Sequence, residues 1–201
     1  MKDNREKEII EIEFNEDNLS RFLKEYYKTH RKGKKTIIES PIARSMNKII
    51  TITNRIVQNT HKQNRGEYVK FVLRELGLEK LGINETDLKV EFVFPTKVRH
   101  DLDNVTAGLK EYLDSFTDLG VITDDDYLHI KSITSCARYE KGISKMIFKF
   151  MNCKYDKQAM EKAIEKERVR KEKREETLKQ NKINKKKRGK KWWRLRTYLK
   201  D

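Results

Sequence analysis

EFVFPTKVRHDLDNVTAGLKEYLDSFTDLGVITDDD, residues Glu91 to Asp126, holds a strand, a helix and two acidic clusters in one run. Phe92-Val93-Phe94 is a short apolar stretch that reads as a strand. Asp101 and Asp103 follow, with Asn104 directly behind. Leu102, Val105, Leu109, Leu113 and Phe116 then recur at steps of three and four, the spacing of one helix face. Gly120 ends that helix, and Asp124-Asp125-Asp126 lie just beyond it. A helix of roughly fifteen residues spans over 20 Å at about 1.5 Å per residue, so its two ends cannot meet. The second acidic cluster approaches the first only if the chain after Gly120 returns along the helix as a strand.

Close carboxylates repel and raise one another's pKa unless a cation lies between them. Mg²⁺ takes oxygen ligands, usually a few carboxylates with water and phosphate. One reading of Asp101, Asp103 and Asp125 is therefore a Mg²⁺ or Mn²⁺ site for phosphoryl chemistry. A second reading is open on spacing alone: Asp103 as a helix N-cap, and the Asp run after Gly120 as a solvated turn.

Around this centre the pattern is mixed. Ile9 to Phe14 alternates apolar with acidic residues, a strand with one buried face. Asp17 or Asn18 caps a short helix through Tyr27. His30 to Lys35 is a basic loop, Pro41 breaks the chain, and Arg44, Asn47 and Lys48 lie in a second polar-basic connection. Ile49–Ile52 and Arg55–Gln58 read as a hairpin turning at Thr53-Asn54. Thr60 caps a helix through Leu76, with Tyr68, Val69, Val72 and Leu73 on its apolar side and Gly77 at its end. A strand follows from Leu88 to Phe94. Leu128–Tyr139 and Ile143–Met151 form a further hairpin about Glu140-Lys141-Gly142. The expected fold class is α+β: one mixed β-sheet with helices mainly on one face, plus a basic helical tail at the C-terminus.

Hydrophobic residues make up 36% of the 201 and charged residues 39%. No run approaches the roughly 18 apolar residues of a membrane span, and MKDNREKEIIEIEF lacks a signal peptide's apolar core. Cys136 and Cys153 fit no metal-ligand spacing and read as reduced thiols. A cytoplasmic protein with no membrane role is expected.

The net charge is +15. From Lys154 onward there are 20 Lys/Arg against 8 Asp/Glu, a balance of +12. The other 153 residues hold 27 against 24, only +3. The sequence thus divides into a nearly balanced domain, residues 1–153, and a basic tail, residues 154–201. The tail reads as an exposed charged helix that frays around Asn184, with too thin an apolar stripe for a coiled coil. It ends in Lys190-Lys191-Trp192-Trp193-Arg194-Leu195-Arg196, where Trp192, Trp193 and Arg194 suit stacking on unpaired bases beside phosphates. Docking of the indoles on this protein or on a partner, or a lie on an acidic membrane, are the competing readings.

VRHDLDN (Val98 to Asn104), a helix, then GVITDDD (Gly120 to Asp126) resembles the RusA family of Holliday junction resolvases, small Mg²⁺-dependent endonucleases of phage and prophage origin. The resemblance covers residues 88–151 well and 41–76 loosely, which leaves an N-terminal insertion around residues 15–40. It implies a RusA-like nuclease fold, metal-binding aspartates at Asp101, Asp103 and Asp125, and a homodimer that nicks four-way junctions in a bacterial host's cytoplasm at the nucleoid. Asn104 matches the family's asparagine. The family's lysine position is Ala107 here, so Lys110, one turn further, is the candidate catalytic cation, with Lys97 or Arg99 as alternatives. Lys97, Arg99, Asn104, Arg44 and Lys48 are the candidate DNA contacts of the domain.

The chemistry implied is phosphodiester hydrolysis, a bound metal orienting water and neutralising charge on the phosphate. A haloacid dehalogenase phosphatase also uses an Asp-x-Asp pair, but it needs a succession of parallel strand-helix units that this order lacks. His100 and His129 are isolated histidines, better read as surface residues than as metal ligands. The non-enzyme alternative is a branched-DNA binding protein with a degenerate acidic site.

Overall fold

The computed structural model describes residues 9–30 and 38–198, without the side chains of residues 167, 171 and 182–198. The basic loop expected from His30 to Lys35 lies, after His30, outside the described residues. Two compact units divide the chain, residues 1–161 and 162–201.

The first unit is α+β, with a single mixed four-stranded sheet. Its elements are β1 (Ile10–Asn15), α1 (Glu16–Thr29), α2 (Met46–Ile50), α3 (Arg55–Glu75), β2 (Ile83–Phe94), α4 (Leu102–Thr106), a 3-10 turn (Ala107–Leu109), α5 (Lys110–Asp118), β3 (Ile130–Tyr139) and β4 (Lys145–Tyr155). The strand order is β1-β4-β2-β3. β4 is antiparallel to both its neighbours, and β3 is parallel to β2.

Alternation decides which sheet face is covered. Ile12 and Phe14 of β1, Leu88, Val90 and Phe92 of β2, and Met146, Phe148 and Phe150 of β4 point one way. They share one core with Leu19 and Phe22 of α1, Tyr68, Val69, Val72 and Leu73 of α3, and Leu109, Tyr112 and Phe116 of the α5 region. Phe14 sits edge-on to Tyr68, Tyr112 and Phe148 at its centre. The other face carries charge: Lys149 pairs with Glu11 at 2.7 Å, Lys145 with Glu13 at 3.0 Å, and Arg138 with Glu91.

Four local expectations are corrected. The cap of α1 is Asn15, whose side chain accepts from Asn18 N at 2.9 Å while Asn18 Oδ1 accepts from Asn15 N at 3.1 Å. That is a reciprocal capping box, with Asn18 as its inner member. The hairpin expected over residues 49–58 is helical. Ser45 caps α2, and Asn54 caps α3 by accepting from Ile56 N at 2.9 Å. Ile50, Ile56 and Val57 are exposed, so no sheet partner rewards their β-branched shape. β3 and β4 both exist, but they do not pair: β2 lies between them. The connecting turn is fastened to the end of β2 instead, Glu140 N donating to Phe94 O at 3.0 Å and Gly142 N to Pro95 O at 3.2 Å.

The fourth correction concerns the tail. Helix α6 runs from Lys157 to Tyr198, past the expected fray at Asn184. Its exposed surface carries ion pairs at helical spacing, Arg168 with Glu165 and Glu172. Among the described residues, no helix is long and apolar enough to cross a membrane.

One glycine is fixed by close approach. A Cβ on Gly108 would stand 2.0 Å from the carbonyl oxygen of Arg44. The backbone of residues 43–44 presses on the helix there, where the ladder tightens into the 3-10 turn. Gly108→Ala is expected to cost stability at the upper end of the about 1–3 kcal/mol typical of overpacking, because backbone must move. A lowered urea midpoint checks it, and an unchanged midpoint would contradict the close approach.

Candidate nucleic-acid interface

The acidic corner follows the end of β2. Pro95 to His100 leads into α4, with Asp101 at the N-cap position and Asp103 in the first turn. Asp103 is therefore not the cap. The side chain of Asp101 makes no capping hydrogen bond, and Asn104 Nδ2 reaches its Oδ2 at 3.5 Å. Both aspartates are exposed. The helix start thus leaves two carboxylates in solvent on one turn.

The chain after Gly120 does return along the helix, as irregular backbone rather than as a strand. Gly82 N donates to Gly120 O at 2.9 Å, Ile83 N to Val121 O at 3.0 Å, and Thr123 N to Ile83 O at 2.9 Å. These bonds aim the loop backward until Asp125 Oδ2 accepts from Lys110 Nζ. Lys110 precedes Gly120 by ten residues, about 15 Å of helix rise. It follows Asp103 by seven, about 10 Å. Lys110 also holds Asp114 Oδ1 at 3.0 Å. Partial burial disfavours its ammonium, but the bonds to Asp125 and Asp114 outweigh that and keep its pKa above the ordinary lysine value.

The neighbours of Asp125 serve the turn itself. Asp124 Oδ1 accepts from Asp125 N at 2.8 Å. Asp126 Oδ1 accepts from Leu128 N at 2.9 Å and meets His129 Nδ1 at 2.6 Å. The bond to His129 holds the Asp126 carboxyl below its usual pKa. Asp125 is the member of the run turned toward the helix.

Among the described residues, no group of three or more His, Cys, Asp or Glu is arranged to hold a metal ion. Asp101, Asp103 and Asp125 are the carboxylates that could hold a divalent cation at this corner, and Lys110 would have to release Asp125 for it to share one. Oδ2, one of the two carboxylate oxygens of Asp125, accepts from the Lys110 ammonium.

Beside the acidic corner lies a cavity of about 530 Å³. Arg44, Lys48, His61, Arg65, Phe94 and His100 are on its wall. A triad supports this wall: half-buried Arg44 and buried Arg65 with buried Glu111 behind them. Glu111 pairs with Arg44, and its second oxygen stands 4.0 Å from Arg65 Nε. Arg65 Nη1 also donates to Ser40 O at 2.7 Å and to Tyr112 Oη at 3.1 Å. These bonds tie the connection before α2 to α3 and α5. His61 is pushed below its ordinary pKa by burial and by the Arg44 guanidinium.

Of the other expected contacts, Lys97 and Arg99 are exposed in the loop before Asp101. Lys97 Nζ lies 5.3 Å from the centre of the Tyr139 ring, a cation–π contact. Ala107 opens the 3-10 turn, half-buried. Trp192, Trp193 and Arg194 have helical backbone in the second unit, and their side chains are outside the described residues. Sequence reasoning missed Arg65, Glu111 and His61. Arg65 carried a signal, since it precedes Tyr68 and Val69 by three and four residues and so shares the apolar side of α3. Glu111 lies off the Leu109-Leu113-Phe116 stripe and carried none.

No protein-family model matches this chain, and no curated protein matches it either.

Proposed function

We propose that this protein binds branched DNA and cuts it as a structure-selective endonuclease of the Holliday junction resolvase kind. The observation that carries the reading is the return of Asp125 to Lys110. It sets the second acidic cluster on the helix flank that starts at Asp101 and Asp103, the order and spacing by which the sequence resembles the RusA family. Exposed Lys48, Lys97 and Arg99 offer positive charge to phosphates, and Arg44, whose charge Glu111 balances, lines the cavity with Lys48. Mg²⁺, or Mn²⁺, is the cofactor the resemblance implies, and a homodimer is the acting form that suits a near-symmetric four-way junction.

A second reading has its own observation. Lys110 neutralises Asp125, which favours a DNA-binding protein whose acidic site no longer cuts. The two separate in one assay on four-way junction, Y-fork and linear duplex, each with and without Mg²⁺ or Mn²⁺. A nuclease nicks the branched substrates only with metal. Asp103→Asn and Asp125→Asn then abolish nicking, while junction affinity holds or rises because a charge opposing the phosphates is gone. Junction binding with no nicking under either metal selects the binding protein.

A further inference from the structure

Three rings form a column leading out of the core at the acidic corner. Phe92 is fully buried, Phe94 is half-buried, and His100 is exposed. Phe92 and Phe94 are 16° from parallel with centroids 6.4 Å apart. Phe94 and His100 are 12° from parallel at 4.1 Å. His100 gives one ring face to Phe94 and ends the column in solvent. A further flat ring would extend it.

The surroundings narrow what that ring carries. Phe94 and His100 both line the cavity that also holds Arg44, Lys48 and Arg65. Its volume, about 530 Å³, falls within the range of small-ligand clefts, about 300–1,000 Å³. Glu16 and Glu39 stand on the same wall and Glu111 balances Arg44, so exposed Lys48 is left to meet one phosphate and a polyphosphate would lack cations. A π-face beside a single anionic group is the chemistry of one nucleotide.

We propose that this cavity takes one unpaired nucleotide of a DNA strand, its base stacked on His100 and its phosphate met by Lys48. The proposal rests on the reading of the chain as a DNA-binding protein and specifies the substrate: a base whose faces are not both covered by duplex neighbours. Branch points and single strands supply such bases, and taking one from intact duplex costs unstacking energy.

The full chain is titrated against a single strand and a four-way junction, each with 2-aminopurine at one unpaired or branch-point position and a dye on a distant end. Dye anisotropy reports binding, and 2-aminopurine emission reports stacking. In the wild-type protein, emission falls as anisotropy rises. His100→Ala returns emission to the free-DNA level and weakens single-strand binding about fivefold or more, the scale of losing one base–aromatic stack. His100→Phe restores both. Lys48→Ala weakens binding but leaves the bound strand quenched. If anisotropy rises while emission responds equally in wild type and His100→Ala, or in neither, the subsite is wrong and DNA binding stands. If no DNA raises the anisotropy, both readings are overturned.

Discussion

Glu111→Ala is expected to destabilise the first unit by about 3–5 kcal/mol, the cost of stripping one partner from a buried charge cluster. The side chains of Arg44, Glu111 and Arg65 are 18%, 9% and 4% exposed. Two guanidinium groups would be left without their shared carboxylate, in a place where water solvates them poorly. The fall in the urea midpoint at unchanged slope measures the effect. Glu111→Gln keeps the shape and part of the hydrogen bonding but not the charge, so it should fall between. The exposed pairs of α6 make the contrast. Removing Arg168, whose side chain is 62% exposed in its pair with Glu165, should leave the midpoint almost unmoved, as surface pairs usually do. Equal effects at Glu111 and Arg168 would contradict the structural role of the triad.

The same triad marks what the sequence could and could not disclose. Alternation made β1 legible, because a strand with one buried face writes its period directly. The apolar run of β4 was legible as a strand: Met146, Phe148 and Phe150 are buried on the core face, while on the other face Ile147 is buried between half-buried Lys145 and Lys149. Asn54 misled because asparagine serves a turn and a helix cap equally well, and β-branched neighbours tilted the choice toward strands. The pairing of β3 with β4 misled for a different reason. A short turn between two strands suggests a hairpin, but here Phe94 O and Pro95 O capture that turn and β2 occupies the gap. At the acidic corner, Asp101 and Asp103 were legible as a motif. That Asp125 binds Lys110 was not, because the return depends on backbone bonds between residues 82–83 and 120–123, which no local pattern encodes.

Deleting residues 162–201 should change DNA binding more than any single substitution in the first unit. The deletion removes 18 Lys/Arg and 6 Asp/Glu, a net +12. Each phosphate neutralised adds about 0.9 to the slope of log affinity against log salt on duplex DNA. About six tail contacts would thus make the full chain lose on the order of a thousandfold in affinity between about 50 and 200 mM salt, and the deleted protein far less. A nested deletion locates the contacts. Residues 162–178 carry 7 Lys/Arg against 5 Asp/Glu, and Arg168 is paired with its own helix neighbours. Residues 179–201 carry 11 against 1. Removing residues 179–201 alone should therefore flatten the slope almost as much as removing residues 162–201. Trp192→Ala with Trp193→Ala should instead lower affinity by a factor that does not vary with salt, since stacking releases no counterions. A slope that survives the shorter deletion would move the phosphate contacts to the charge-paired part of α6, and one that survives both would move them to the first unit.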